Sequence, residues 1–137
     1  MMRVLIDTNV ALDHLLDRQP FAADATAIWE ANARGQCEAY VSAITPVNVF
    51  YIARKLKDAN TARLIVASLL AACRVCLLDQ TALQAALSLS LRDYEDAVQV
   101  ASALQSQMDA IITRDTRDFV GVSLPVFTPA DFLKQLP

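Results

Sequence analysis

The residues with chemistry to offer are acids, and they sit where apolar runs stop. "RVLID" at 3–7 ends in Asp7, "IITRDTRDF" at 111–119 follows an apolar start with Asp115 and Asp118, and "DYEDAVQVASAL" at 93–104 opens with Asp93 and Asp96. Asp93 and Asp96 have the spacing that puts two side chains on one helical face. Carboxylates with no histidine or thiolate among them are hard oxygen donors, suited to Mg2+ or Mn2+. Such ions polarise a phosphodiester and activate water, and as a pair roughly 3.5–4 Å apart they stabilise both the attacking and the leaving oxygen. Arg92, Arg114 and Arg117 flank the acids and are the candidates for holding neighbouring phosphates. Each acid also has an ordinary reading, Asp7 and Asp93 as helix N-caps and Asp118 as a turn residue. The two readings separate on whether the chain brings these acids to one place.

The elements that must position them alternate. A strand over 3–7 leads into a helix over 8–17, which Arg18 to Pro20 break, and helical spacing returns through Phe21, Ala25, Ile28 and Trp29 until Gly35. "CEAYVS" at 37–42 is a second strand. Thr45-Pro46 reads as a helix start, with Thr as N-cap and Pro at the first helical position, and Asp58 opens a further helix. "RVCLLD" at 74–79 is a third strand and 80–91 a helix; the helix from Asp93 feeds directly into "DAIIT", the fourth strand. Val126 and Phe127 form a short fifth, and Thr128-Pro129 starts a last helix.

This alternation implies right-handed crossovers and an α/β fold, an α/β/α sandwich around a mostly parallel sheet of four to five strands, in one domain over 1–137. Ligands of such sheets bind in the crevice outside the C-terminal strand ends. The helix over 93–108 must run antiparallel to the strand that follows it. Its N-terminus therefore lies beside that edge, and Asp96 can face Asp7 and Asp115 if the first and fourth strands are neighbours.

Other chemistries are excluded or weakened by composition. Gly35 and Gly121 are the only glycines, so neither a dinucleotide fingerprint nor a P-loop is present. His14 is the only histidine, and no serine stands in a nucleophile-elbow context. Cys37, Cys73 and Cys76 have no framework spacing, and the single C-x-x-C lacks two further zinc ligands, so they read as reduced core thiols. The net charge of −3 argues against a general nucleic-acid-coating protein but not against a nuclease whose acids hold metal. Arg54, Lys55, Lys57 and Arg63 read as a solvated face. The charge-free run from Ala39 to Ala53 is too short and too interrupted to span a bilayer, and Asp7 and Asp13 interrupt any signal-peptide core, so a cytoplasmic protein is expected. Hydrophobic residues make up 55%, slightly above the usual apolar share, which suits a surface buried against another subunit.

"LIDTNV" at 5–10, "DYEDAVQVASAL" at 93–104 and "IITRDTRDF" at 111–119 together resemble the three diagnostic segments of PIN domains, and the resemblance covers essentially the whole chain. It is nearest to compact bacterial PIN proteins, many of them VapC-type toxins of toxin-antitoxin pairs. The resemblance implies a parallel α/β/α sandwich and metal-dependent cleavage of RNA. By position, Asp7, Asp96 and Asp115 match the family's acids, Thr113 the hydroxyl that accompanies the last of them, and Asp118 a further, weaker metal contact. For a toxin it implies a homodimer and an antitoxin that inserts into the active-site groove.

The sequence departs from the family in one respect. In "SAITPVNVFYIARK" Asn48 stands where a Glu is usual. It keeps an oxygen but loses the charge, which weakens metal binding, and it is equally placed to cap the helix that Thr45 begins. A PIN fold that lost activity with its Glu, and binds RNA or a partner protein, is therefore the alternative. A haloacid-dehalogenase-like phosphatase ranks below both, because that chemistry wants D-x-D and this chain has Asp7-Thr8-Asn9.

Overall fold

The computed structural model describes residues 1–137. Five strands, β1 (Arg3–Ile6), β2 (Glu38–Ser42), β3 (Arg74–Cys76), β4 (Ala110–Ile112) and β5 (Val126–Phe127), form one sheet in the order β3-β2-β1-β4-β5. All four pairings are parallel, so the mostly parallel sheet is wholly so. Strands β1, β2 and β3 step outward in one direction, and the chain then returns to add β4 on the other side of β1. That reversal makes the C-terminal ends of β1 and β4 the switch point of the sheet, where a crevice opens.

Side chains alternate across the sheet as a period of two requires. Val4, Ile6, Ala39, Val41, Ala110 and Ile112 pack on one face. There they meet α1 (Thr8–Leu15), α2 (Ala22–Ala33), α3 (Ile44–Leu56), α4 (Ala59–Ala72) and α7 (Pro129–Leu133), through residues such as Val10, Ile28, Val49, Leu69 and Phe132. Leu5, Tyr40 and Ile111 point the other way, toward Val100 and Ala103 of α6 (Tyr94–Gln105), which packs against α5 (Gln80–Leu87). Asp7 continues the parity of Leu5, so its side chain is directed at α6.

The cysteines are buried free thiols, and burial pushes Cys73 up to about 12. Cys73 and Cys76 join cores on opposite faces of the sheet, which explains why this C-x-x-C forms no ligand pair. No helix is long and apolar enough to cross a membrane.

Local capping signals place most helix starts. Asp58, Asp79, Asp93 and Thr128 each accept from the backbone N–H three residues on. Thr45 is an exception. Helix α3 begins two residues before Pro46, at Ile44, and Thr45 lies buried inside its first turn with Oγ1 3.0 Å from Thr8 Oγ1 of α1. Pro46 is tolerated there because the first-turn N–H groups of a helix have no intrahelical partner. Tertiary pairing with Thr8 has displaced the expected cap.

Candidate active site

Asp7 follows β1 at the N-cap position of α1, yet its side chain makes no capping bond. The Thr8 N–H is taken instead by Gln99 Oε1 at 3.3 Å, from the fully buried Gln99 of α6. The same amide donates through Nε2 to Asp7 Oδ1 at 2.9 Å, and Thr113 Oγ1 donates to Asp7 Oδ2 at 2.8 Å. Two neutral donors therefore hold a carboxylate that is only 5% exposed, and neither cancels its charge. Gln99 escapes a search for acids, although a long polar side chain within the apolar row "AVQVASA" was its signal.

Thr113 stands beside Asp7 because β1 and β4 pair Ile6 with Ile112. Its hydroxyl also accepts from the Asp115 backbone N–H at 3.2 Å, which fixes the start of the turn bearing that acid. Asp118 lies one turn on, in a 3-10 segment over Thr116–Phe119 whose N-cap, Asp115, makes no side-chain capping bond.

From α6 come Asp93, Glu95 and Asp96, whose carboxylate oxygens lie within 4.8 Å of one another. Asp93 caps α6 through a 3.0 Å bond from the Asp96 N–H, so the capping reading holds for it. Burial, then the charges of Asp7, Asp93, Asp118 and Glu95, push the Asp96 carboxyl up to about 7. Glu95 is raised for the same first reasons, burial and then Asp7 and Asp93. Asp118 is raised by desolvation, then by Asp115, then by the charges of Asp7 and Asp93. The acids expected at this edge thus act on one another across β1, α6 and the turn after β4. No Lys or Arg pairs with any of them. An all-oxygen set of like charges without a protein counter-ion has the chemistry of a hard divalent cation site.

Arg92 and Arg117 line a cleft of about 550 Å³ with Asp93, Asp96 and Asp118. Arg114 does not reach it. Its Nε lies 2.7 Å from Asp13 Oδ2, a close ionic contact, and its guanidinium stacks 3.9 Å from the centre of the Phe21 ring. Arg114 is thus engaged in a structural contact with the buried Asp13 of α1, which it shares with Arg18. Asn48 departs from its capping reading too: it is the fifth residue of α3, and its amide donates to Glu95 Oε2. Glu95 was not among the acids singled out from the sequence.

A sequence profile of the PIN domain matches residues 3–117. Among solved structures, the chain is similar to a toxin-antitoxin complex from Klebsiella pneumoniae at 25% identity and TM-score 0.68, over 92% of this chain and 97% of that one. DNA-bound VapBC from Salmonella typhimurium matches at 16% identity and TM-score 0.72, over 94% and 99%. VapC20 from Mycobacterium tuberculosis, a sarcin-ricin loop cleaving toxin, matches at 12% and 0.65, over 79% and 86%. The last two likenesses concern the fold. No curated protein matches the sequence. A profile match that runs from the start of β1 into the turn carrying Asp115 takes in most of the chain, and by it the protein belongs to the PIN domain family.

Proposed function

We propose that the protein is a Mg2+- or Mn2+-dependent ribonuclease and the toxin of a toxin-antitoxin pair. The carrying observation is the convergence of uncompensated carboxylates at the switch point of a PIN-family sheet. Asp7, Asp96 and Asp115 would hold the ion, with Asp118 as an outer contact. A divalent cation there supplies polarisation of a phosphodiester and activation of water at neutral pH. The chain's own contribution is orientation: Gln99 and Thr113 fix both oxygens of Asp7, and Thr113 also fixes the Asp115 backbone. Arg92 and Arg117, beside the acids, would take the flanking phosphates of an RNA strand.

The complex from Klebsiella pneumoniae, named as a toxin with its antitoxin, supports a protein partner of the same kind. Exposed Leu56, Leu64 and Leu70 on α3 and α4, and Leu83 and Leu87 on α5, leave apolar surface that suits an antitoxin and a homodimer. We place its action in the cytoplasm, where it would meet both an RNA substrate and an antitoxin.

The test is Mn2+ titration into the protein and its Asp7→Asn variant, with RNA cleavage assayed on the same samples. Binding and cleavage that both vanish in the variant support the reading. Metal binding with no cleavage of a broad RNA panel supports instead an inactive module that binds RNA or protein, the alternative that the missing α3 carboxylate favours.

A further inference from the structure

We infer that Glu95, oriented by Asn48, is an additional ligand of the divalent cation, so that α6 supplies the carboxylate α3 lacks; this rests on the metal-nuclease reading above. Helix α3 has no acidic residue in "ITPVNVFYIARKL", and what it presents to the acids is the Asn48 amide. An ionised carboxylate only accepts hydrogen bonds, so Asn48 turns its Nδ2 to Glu95 Oε2. Its role is then positioning, not coordination. Glu95 Oε1 has no protein donor, and the Glu95 carboxylate lies within 4.8 Å of those of Asp93 and Asp96.

The choice of donor is informative. A glutamate free to reorient would swing into water, away from the surrounding like charges. This one is half-buried and tethered from another helix, 47 positions away in sequence. A Lys or Arg tether would neutralise the carboxylate and compete with a metal for it. An amide orients the carboxylate and leaves its charge intact, which is also how Gln99 and Thr113 treat Asp7. Three neutral tethers around uncompensated acids form one pattern, and Glu95 belongs to it.

The experiment is Mn2+ titration of the full chain by calorimetry and by the electron paramagnetic resonance signal of free Mn2+. The variants are Glu95→Gln, Glu95→Asp, Asn48→Ala, Asp96→Asn and the double change Asn48→Glu with Glu95→Gln, each checked for folding by circular dichroism. Glu95→Gln and Asn48→Ala should each weaken Mn2+ binding by about tenfold or more. Glu95→Asp, which keeps the charge but withdraws it by one methylene, should also lose affinity and serves if Glu95→Gln folds poorly. The double variant returns the acid to α3 and leaves an amide on α6. It should regain most of the affinity lost in Glu95→Gln, a rescue that a purely structural role would not give. Glu95→Gln binding within about twofold of wild type, while Asp96→Asn loses the ion, overturns the role of Glu95 and leaves the nuclease reading standing. Wild type that binds no Mn2+ overturns both.

Discussion

Thr113 Oγ1 donates to Asp7 Oδ2 across 2.8 Å while accepting from the Asp115 N–H at 3.2 Å, so one buried hydroxyl joins the ends of two adjacent strands and touches an acid on each. Parallel pairing of Ile6 with Ile112 makes this contact automatic for the next residue of each strand. Thr113→Val keeps the volume and removes the hydroxyl, leaving a buried carboxylate oxygen short of a donor. The loss should be about 1–3 kcal/mol in chemical denaturation, and Thr113→Ser, which keeps the hydroxyl, should keep most of the wild-type stability. A valine variant as stable as wild type would mean that the Asp7 bond is not made in solution.

The Asp96 carboxyl, raised from 3.8 to about 7 by burial and then by Asp7 and its other acidic neighbours, makes metal-free stability pH-dependent. The folded state holds this proton more tightly than the unfolded chain does. Its stabilisation is fully present below the ordinary carboxylate range and is lost as pH rises through about 7. In EDTA, the thermal midpoint of wild type should therefore fall between about pH 4 and pH 8, and Asp96→Asn should flatten that slope. Cation binding needs the ionised form, so Mn2+ affinity should rise over the same interval, with proton release larger at about pH 6 than at pH 8. Calorimetry in two buffers of different ionisation enthalpy measures that release, and equal release at both pH values would refute the assignment.

Asp13 makes a different demand on the fold. It is 1% exposed and sits between Arg18, at 2.9 Å, and Arg114, at 2.7 Å. Arg114 lies between Thr113 and Asp115, so this ion pair anchors the acid-bearing turn to α1. Asp13→Ala would take the shared carboxylate from two part-exposed guanidinium groups and cut the tie between the turn and α1, at a cost of about 1–3 kcal/mol. Asp131→Ala, which breaks an exposed pair with Lys134 at 3.7 Å, should cost at most about 1 kcal/mol. Urea titrations of the two variants compare them directly, and similar midpoints would show that the Asp13 network does not carry the turn.

What could be read from the sequence was local. Apolar runs located β1 and β4, the helix leading into β4 had to bring Asp96 back to the strand ends, and Asp58, Asp93 and Thr128 announced their helices by side-chain capping. What could not be read depends on partners distant in the chain. Thr45 looks like a cap until Thr8 claims its hydroxyl, and the capping reading of Asn48 gives way once Glu95 takes its amide. Arg114 stands between Thr113 and Asp115 in the sequence, yet its partner is Asp13, 101 positions away. In each case the side chain is ordinary for its local position, and only the tertiary neighbour decides between a bond and solvent.

Arg92 and Arg117 are exposed, lie on the rim of the acidic cleft and pair with no carboxylate, which leaves their guanidinium groups free for a ligand. The cleft they line holds no aromatic residue for a base to stack on, so their contribution should be electrostatic and independent of sequence. Arg92→Ala and Arg117→Ala should each weaken RNA binding to a similar extent across unrelated sequences and lower the slope of log affinity against log salt by about 1. Measured on the Asp7→Asn background, binding is separated from cleavage. Arg114→Ala should leave that slope unchanged and act on stability instead, because its guanidinium is held against Asp13 and Phe21, outside the cleft. If Arg114→Ala lowers the slope and Arg117→Ala does not, the strand runs across the α1 side of the sheet edge and not along the α6 cleft.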